Sequence, residues 1–450
     1  MQSAARYQMR NPMDAAFHTY LIDQGYTENQ LPLKEWGLRE LTLSALFFHP
    51  QLDIARAQWR AAQAGGITAA QRPNPGTSGN AQNHSQTDGG VSPWTYSLAI
   101  DIPVETASKR QARIDRAANL TEAARIEIGQ NAWQVRSRLL ASFIDYNASL
   151  HQAHILEEEV KLRTEIVDML EARFGAGMIS SVELGNARLL LQKARQLLEA
   201  ERGRAPELRA ALASNAGLPL QRFNQLAIKT PDFDQLLTRK HSQTINRDSM
   251  DDLQQAALLN RLDIRAALAR YAAAEARLRL EIARQYPDLV LSPGYSYDQG
   301  DRVWSLGLST LLTLLHRNQG LIAEARSLRE VEAAQFEALQ AKVIGDLAQI
   351  KARYYAALDE LDKARQLLQA QQIRTEQTLR QFDAGYADRL ELRTTQLENL
   401  LAMQNLLTVE YKVQRAAGAL EDMLQRPLED DLTLPSAISD NIERKPSRQP

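Results

Sequence analysis

The chain has 450 residues, and its 53 Lys plus Arg nearly cancel 55 Asp plus Glu, leaving a formal net charge of −2. That balance argues against a nucleic-acid binder, whose affinity rests on a basic face that releases counterions. The absence of Cys excludes a disulfide framework, a thiol nucleophile and a thiolate metal site.

Gly (21) and Pro (16) are scarce and aromatic residues make up 6%, which leaves the composition of long helices. No stretch reaches the ~18 to 20 apolar residues of a membrane-spanning helix; Leu41–Phe48 and Leu306–Leu315 are far too short. The start, Met1-Gln-Ser-Ala-Ala-Arg6, has no apolar h-region, so a secreted form would carry its leader outside this sequence.

In chain order, residues 1–34 read as an N-terminal tail or belt, followed by a helix over Leu33–Ala70. Arg72–Pro103 is rich in Pro, Gly, Ser and Asn; within it Gly76–Gly90 reads as a first strand fading into a loop. Trp94–Ile102 alternates like a strand with two unlike faces. No Pro occurs between Val104 and Ala205, which predicts a very long helix broken at Gly175 and Gly177, then a helix over Ser181–Ala213. After a mixed linker the order returns: a helix over Met250–Gln285, strands over Leu289–Tyr297 and Val303–Leu312 around the turn Asp298-Gln-Gly-Asp301, and a long helix over Gln319–Phe382. Phe336, Leu339, Val343, Leu347, Ile350, Tyr354, Leu358 and Leu361 follow steps of 3 and 4, the seam of a helix packed close to coiled-coil spacing. That helix would be roughly 95 Å long at ~1.5 Å per residue. It breaks at Gly385, and a last helix runs over Asp388–Met423.

The order returns because the chain is duplicated. Leu52-Asp-Ile54 recurs as Leu262-Asp-Ile264, Trp94-x-x-x-Leu98 as Trp304-x-x-x-Leu308, Tyr146 as Tyr354 and Pro219 as Pro427. Arg173-Phe-Gly-Ala-Gly177 with Val182-Glu-Leu184 recurs as Gln381-Phe-Asp-Ala-Gly385 with Leu390-Glu-Leu392. Each copy ends in a helical hairpin, because a short turn between long helices makes them antiparallel neighbours.

Two tandem units of helix, two strands, very long helix, glycine turn and helix resemble the TolC-type outer-membrane factor family. The paired tips Phe174–Leu184 and Phe382–Leu392 carry the resemblance, together with the strand-to-helix junction Trp94–Arg110 and the segment Trp304–Leu312. It implies a mostly α fold with a small β part: residues 1–34 as an N-terminal tail or equatorial segment, a first repeat over 35–220, an equatorial linker over 221–249, a second repeat over 250–427 and a C-terminal tail over 428–450. It further implies a homotrimer closing a twelve-stranded barrel in outer-membrane lipid, with a helical tunnel into the periplasm. Its partners would be a periplasmic adaptor and an inner-membrane pump of a tripartite efflux (RND-type) or type I secretion system. No cofactor, metal or nucleic acid is expected, and no reaction. Open sheet edges agree, since a bilayer accepts only closed barrels.

For the entrance, the resemblance points to Glu391, with Asp388 and Glu183 as companions; a threefold ring of carboxylates would favour cations. The plainer reading is acids on first helical turns that favour the helix dipole. Phe174, Gly175, Gly177, Phe382, Gly385 and Tyr386 read as turn formers, to which the resemblance adds docking of the adaptor. Trp94, Trp304, Tyr295 and Tyr297 suit strand packing or a membrane-interface belt. His151 and His154 beside Glu157, Glu158 and Glu159 have zinc-compatible spacing, but a solvated helix face explains them and a third anchored ligand is not evident. The rival readings are a periplasmic adaptor, which carries one hairpin rather than two, and a soluble coiled-coil scaffold. An apolar outer face on the strands would decide against the scaffold.

Overall fold

A computed structural model describes residues 2–86, 89–230, 250–311 and 316–426. The C-terminal tail, Pro427, Leu312 and most of the 221–249 linker lie outside the described residues. In chain order the elements are α1 (Gln2–Gln8), α2 (Ala15–Asp23), α3 (Leu38–Phe48), α4 (Pro50–Ala70), β1 (Gly76–Asn83), β2 (Trp94–Val104), α5 (Lys109–Gly175), α6 (Ser181–Asn215) and α7 (Leu220–Phe223). Then follow α8 (Met250–Asn260), α9 (Leu262–Ala283), β3 (Leu289–Asp298), β4 (Asp301–Thr310), α10 (Gln319–Asp383) and α11 (Arg389–Leu424). The expected fold class, mostly helical with four strands, is the one observed. The helix expected over Leu33–Ala70 is two helices. Pro50 opens α4 and forces His49 out of the helical region (φ −70°, ψ 127°), which ends α3. The one expected over Met250–Gln285 is likewise interrupted, at Arg261.

The chain divides into two compact units. The first comprises residues 1–53, 129–261 and 342–450. Its core gathers Phe17, Leu21, Trp36, Leu41, Phe48, Leu139, Leu212 and Phe223, so the N-terminal segment is built into packed structure. Trp36 pairs with the chain after α7: its N–H donates to the Ala227 carbonyl (2.9 Å) and its own carbonyl accepts from the Lys229 N–H (2.9 Å). Gly217, at φ +77°, turns the chain after α6 where a Cβ would lie 3.0–3.1 Å from Phe48 and the backbone of His49.

Within this unit α5 is flanked by α6 and α11. Arg188 and Arg202 of α6 pair with Glu171 (2.7 Å) and Glu157 (2.8 Å) of α5. On its other side α5 meets α11 through Arg393–Glu165 (2.7 Å), His151–Tyr411 (2.7 Å) and Arg136–Glu421 (2.9 Å). Partner numbers rise on one helix as they fall on the other, so the two run antiparallel. Gly418 lets them approach closely, since a Cβ there would come within 3.0 Å of Leu140. Helix α10 joins α11 through Arg374–Glu398 (2.6 Å) and Lys412–Glu360.

The second unit comprises residues 54–128 and 262–341. It holds an antiparallel sheet of order β1-β2-β3-β4 and parts of α4, α5, α9 and α10. Asp288 pins the strand-to-helix junction: its carboxylate accepts from the Lys109 ammonium (2.6 Å) and the Thr106 N–H (2.9 Å). Arg113 braces Glu105 just after β2. The helices are tied by Arg270–Glu127, Arg277–Glu324 (2.8 Å) and Arg329–Glu275 (3.1 Å).

Candidate functional site

Successive strand residues point to opposite faces, and residues paired across strands share a face. The register therefore fixes the composition of each side of the sheet. Leu98 pairs with Gly79 on one side and Tyr295 on the other, and Tyr295 pairs with Trp304. Ile102 pairs with Leu291, and Leu291 with Leu308. One face thus carries Trp94, Tyr96, Leu98, Ile100, Ile102 and Val104 from β2, with Trp304, Leu306 and Leu308 from β4. All are exposed, Trp304 and Leu306 at 81% and 76%. Aromatic side chains gather toward the hairpin-turn end, where Trp94 stacks on Tyr96 (5.7 Å) and Tyr295 meets Trp304 (5.0 Å).

The opposite face is polar. Ser97 pairs with Asn80 and Ser296, and Thr95 with Gln82 and Asp298. The Thr95 hydroxyl donates to the Asp298 carboxylate (2.6 Å) and lies 3.1 Å from His84 Nε2; the Ser292 hydroxyl donates to Asp101 (2.6 Å). A contiguous exposed apolar face backed by a hydrogen-bonded polar one marks an interaction surface, of the kind that membrane or protein contact covers.

The tips belong to the first unit. Between α5 and α6, Gly177 takes φ +71°, and between α10 and α11, Gly385 takes φ +78°. Gly175, expected beside Gly177 as a left-handed break, is instead the last residue of α5 and has no positive φ. The Met178 N–H bonds the Arg173 carbonyl (2.9 Å) and the Tyr386 N–H bonds the Gln381 carbonyl (2.8 Å), the same closure in both copies. Tyr386 is 88% exposed; Phe174 and Phe382 are exposed too, and so are Met178 and Val182, which were not among the residues expected to dock an adaptor.

Each descending helix starts on a capping residue. Ser180 accepts the Glu183 N–H (3.2 Å), and Asp388 accepts the Glu391 N–H (2.8 Å). The pattern Ser/Asp-x-x-Glu was the available signal for this. Asp388 does more than its counterpart, because it also binds the Arg173 guanidinium of the other tip (2.6 Å). The Glu391 N–H and then Arg173 hold the Asp388 carboxyl below the usual carboxylate range. Glu183 and Glu391 themselves are exposed. The structure thus brings Asp388 against the first tip, while the two glutamates stand in solvent on first helical turns.

Among the described residues no His, Asp and Glu group could hold a metal ion. His151 is instead bonded to Tyr411, Glu157 to Arg202 and Glu159 to Arg163. No described helix is long and apolar enough to cross a membrane, which leaves a β-barrel untouched.

Over 265 residues the chain is 28% identical to the cobalt-zinc-cadmium resistance protein CzcC of Cupriavidus metallidurans, a match covering 55% of this chain and 57% of that protein. The fold is shared with VceC of Vibrio cholerae (TM-score 0.68, 18% identity, 87% of this chain and 97% of that one). It is also shared with the CmeC outer membrane channel of Campylobacter jejuni (TM-score 0.68, 15% identity, 90% and 88%). The family model for outer membrane efflux proteins matches residues 43–218 and 253–425, more than half of the chain, once per repeat, and the chain belongs to that family.

Proposed function

We propose that this chain is the outer-membrane exit duct of a tripartite efflux (RND-type) or type I secretion system, conducting its cargo passively and catalysing no reaction. The observation that carries the reading is the two-faced sheet. Its apolar side suits lipid and its polar side an aqueous lumen. The outer strands β1 and β4 each have one neighbour in the order β1-β2-β3-β4, and a bilayer does not accept the edges this leaves. Three copies of four strands would close a twelve-stranded barrel. The same face disfavours a soluble scaffold, which would expose it to water, and two hairpins disfavour an adaptor.

On this reading the repeats span 35–220 and 250–427, joined by 221–249 and flanked by 1–34 and 428–450; the two segments matched by the family model support the division. Glu391, with Asp388 and Glu183, lines the periplasmic entrance. Phe174, Gly175, Gly177, Phe382, Gly385 and Tyr386 form the tips onto which a periplasmic adaptor docks, and an inner-membrane pump supplies the energy. The name of the CzcC relative supports divalent metal ions as cargo. The test is fractionation of cells expressing the whole gene, followed by light scattering of the detergent-extracted protein. A trimer from the outer membrane is expected; a soluble monomer or dimer would overturn the reading.

A further inference from the structure

The helices of the first unit bound a cavity of about 560 Å³, lined by residues of α5, α6, α10 and α11. Small-molecule sites usually have ~300–1,000 Å³. Part of the wall is small or apolar: Ala148 of α5 with Leu407, Ala416 and Ala419 of α11. Tyr411 joins them, 6% exposed and fixed by its 2.7 Å hydroxyl contact with His151 Nδ1.

Two observations give this space a chemical preference. The first is a buried donor left over. Ser149, on the α5 wall, is 2% exposed, and its hydroxyl has no hydrogen-bond partner among the described residues. Thr408 of the α11 wall and Ser142 of α5 instead donate to carbonyls of their own helices, Gln404 and Leu139 (both 2.9 Å). A buried hydroxyl without a partner is costly, so Ser149 calls for an acceptor from outside the chain.

The second observation is the charge of the wall. It carries two acids, Asp145 and Glu201, and four bases, Arg204, Arg353, Lys412 and Arg415. Asp145 is held by Arg415, and Lys412 is held by Glu360 of α10. Glu201 lies 3.8 Å from Arg204. Exposed Arg353 has no ion-pair partner among the described residues. An anion entering the cavity meets an uncommitted guanidinium, whereas a cation would have to displace a pair already made.

From these unspent donors we propose that the cavity binds an amphipathic organic anion. Its apolar body packs on Leu407, Ala416 and Tyr411; Arg353 takes its acidic head, and the Ser149 hydroxyl donates to a further acceptor. The walls come from both hairpins, so one molecule is held by α5, α6, α10 and α11 together. The site lies wholly within the first unit and goes beyond the duct reading; it stands whether or not the sheet closes a barrel.

The test uses the full-length protein in zwitterionic-lipid nanodiscs, titrated with naphthalene-1-sulfonate in equilibrium dialysis against empty nanodiscs. Saturable binding is expected, and the cationic counterpart naphthalen-1-ylmethylammonium should bind more weakly by about tenfold or more. Arg353→Gln should weaken the sulfonate by about tenfold and Ser149→Ala by about threefold, the range of hydrogen bonds to a charged group. Thr408→Trp, a bulky side chain at an exposed wall position, should abolish binding. Arg195→Gln removes an exposed α6 charge outside the cavity and should leave it unchanged. Absence of saturable binding, equal affinity for the two probes, or wild-type affinity in Arg353→Gln or Thr408→Trp would overturn the proposal. Should a variant fail to fold, the two probes compared on the wild type decide the matter alone.

Discussion

Ser97 and Leu98 are neighbours in sequence and face opposite sides of β2, so one pair of substitutions tests the assignment of faces. The 11 residues of β2 extend roughly 36 Å at ~3.3 Å per residue. A strand tilted by about 40° then crosses an apolar band about 25 Å tall, and Leu98, the fifth of these residues, lies near its middle. Leu98 is 60% exposed on the apolar face, between Gly79 and Tyr295. An arginine there, at the depth of the midplane, costs ~2–4 kcal/mol per chain, or about 6–12 kcal/mol summed over three copies. Ser97 lies between Asn80 and Ser296 on the polar face, where a solvated arginine should change stability by no more than ~0.5 kcal/mol. The assay is the amount of trimer recovered from outer membranes on gels run without boiling. Leu98→Arg should abolish it and Ser97→Arg should leave it near the wild-type level. Equal tolerance of both, or greater damage from Ser97→Arg, would refute the assignment of faces.

Arg136 and Glu421 are each about 5% exposed and 2.9 Å apart; Glu421→Gln should destabilise by ~3–5 kcal/mol in urea unfolding of the detergent-solubilised protein, whereas Arg136→Met with Glu421→Leu should recover most of that loss. Gly177→Ala and Gly385→Ala force an L-residue to positive φ and should each cost ~1–2 kcal/mol, but Gly175→Ala, at an ordinary helical φ, should be neutral or slightly stabilising in the same unfolding experiment. The Asp388 carboxyl titrates below its unfolded value, so its contribution is complete above the ordinary carboxylate pKa of ~3.9 and is lost as pH falls through the depressed value. Hydrogen exchange at residues 173–183 and 381–391 should therefore be pH-independent in protection from neutrality to about pH 5 and should accelerate below about pH 4. Asp388→Asn should show the loosened tip already at neutral pH.

The parts of this fold legible in sequence are those whose cause is local. The run Trp94, Tyr96, Leu98, Ile100, Ile102 announces β2 because each alternate position is large and apolar. The glycines of the tips announce turns because only φ differs there. β1 was far fainter: Gly-Thr-Ser-Gly-Asn-Ala-Gln-Asn83 has no large apolar residue, and its span is set by pairing with β2 rather than by its own pattern. The Pro293-Gly294 step similarly blurs β3, although a Cβ at Gly294 would crowd Ser305 Oγ at 2.9 Å and the Leu98 carbonyl oxygen at 3.3 Å. At the tips, the acids were visible but their division of labour was not. Arg173 and Asp388 are 215 positions apart, and nothing short of the packing of α5 against α11 reveals that one repeat's cap holds the other repeat's tip.

Duplication explains why that division exists. Ser180 and Asp388 are equivalent caps, as are Arg173 and Gln381 equivalent approach residues, yet charge survives at one member of each pair only. The ionic contact can therefore form between the first tip and the second but not in the converse sense, from Gln381 to Ser180. The cross-helix contacts described above run from α6 to α5, from α5 to α11 and from α11 to α10. At the two ends of that series apolar side chains stay exposed: Val182, Leu189, Leu190 and Leu197 on α6, and Leu367, Ile373 and Leu379 on α10. The sheet of the second unit ends in the same way, on β1 and β4. Dissimilar edges cannot pair isologously; they meet head to tail, and a head-to-tail contact closes into a ring or runs on as a filament. A barrel in a bilayer admits only the ring. The sequence asymmetry between repeats thus leaves one charged junction inside each copy, and on the duct reading the exposed apolar side chains of α6 and α10 are what a neighbouring copy would cover.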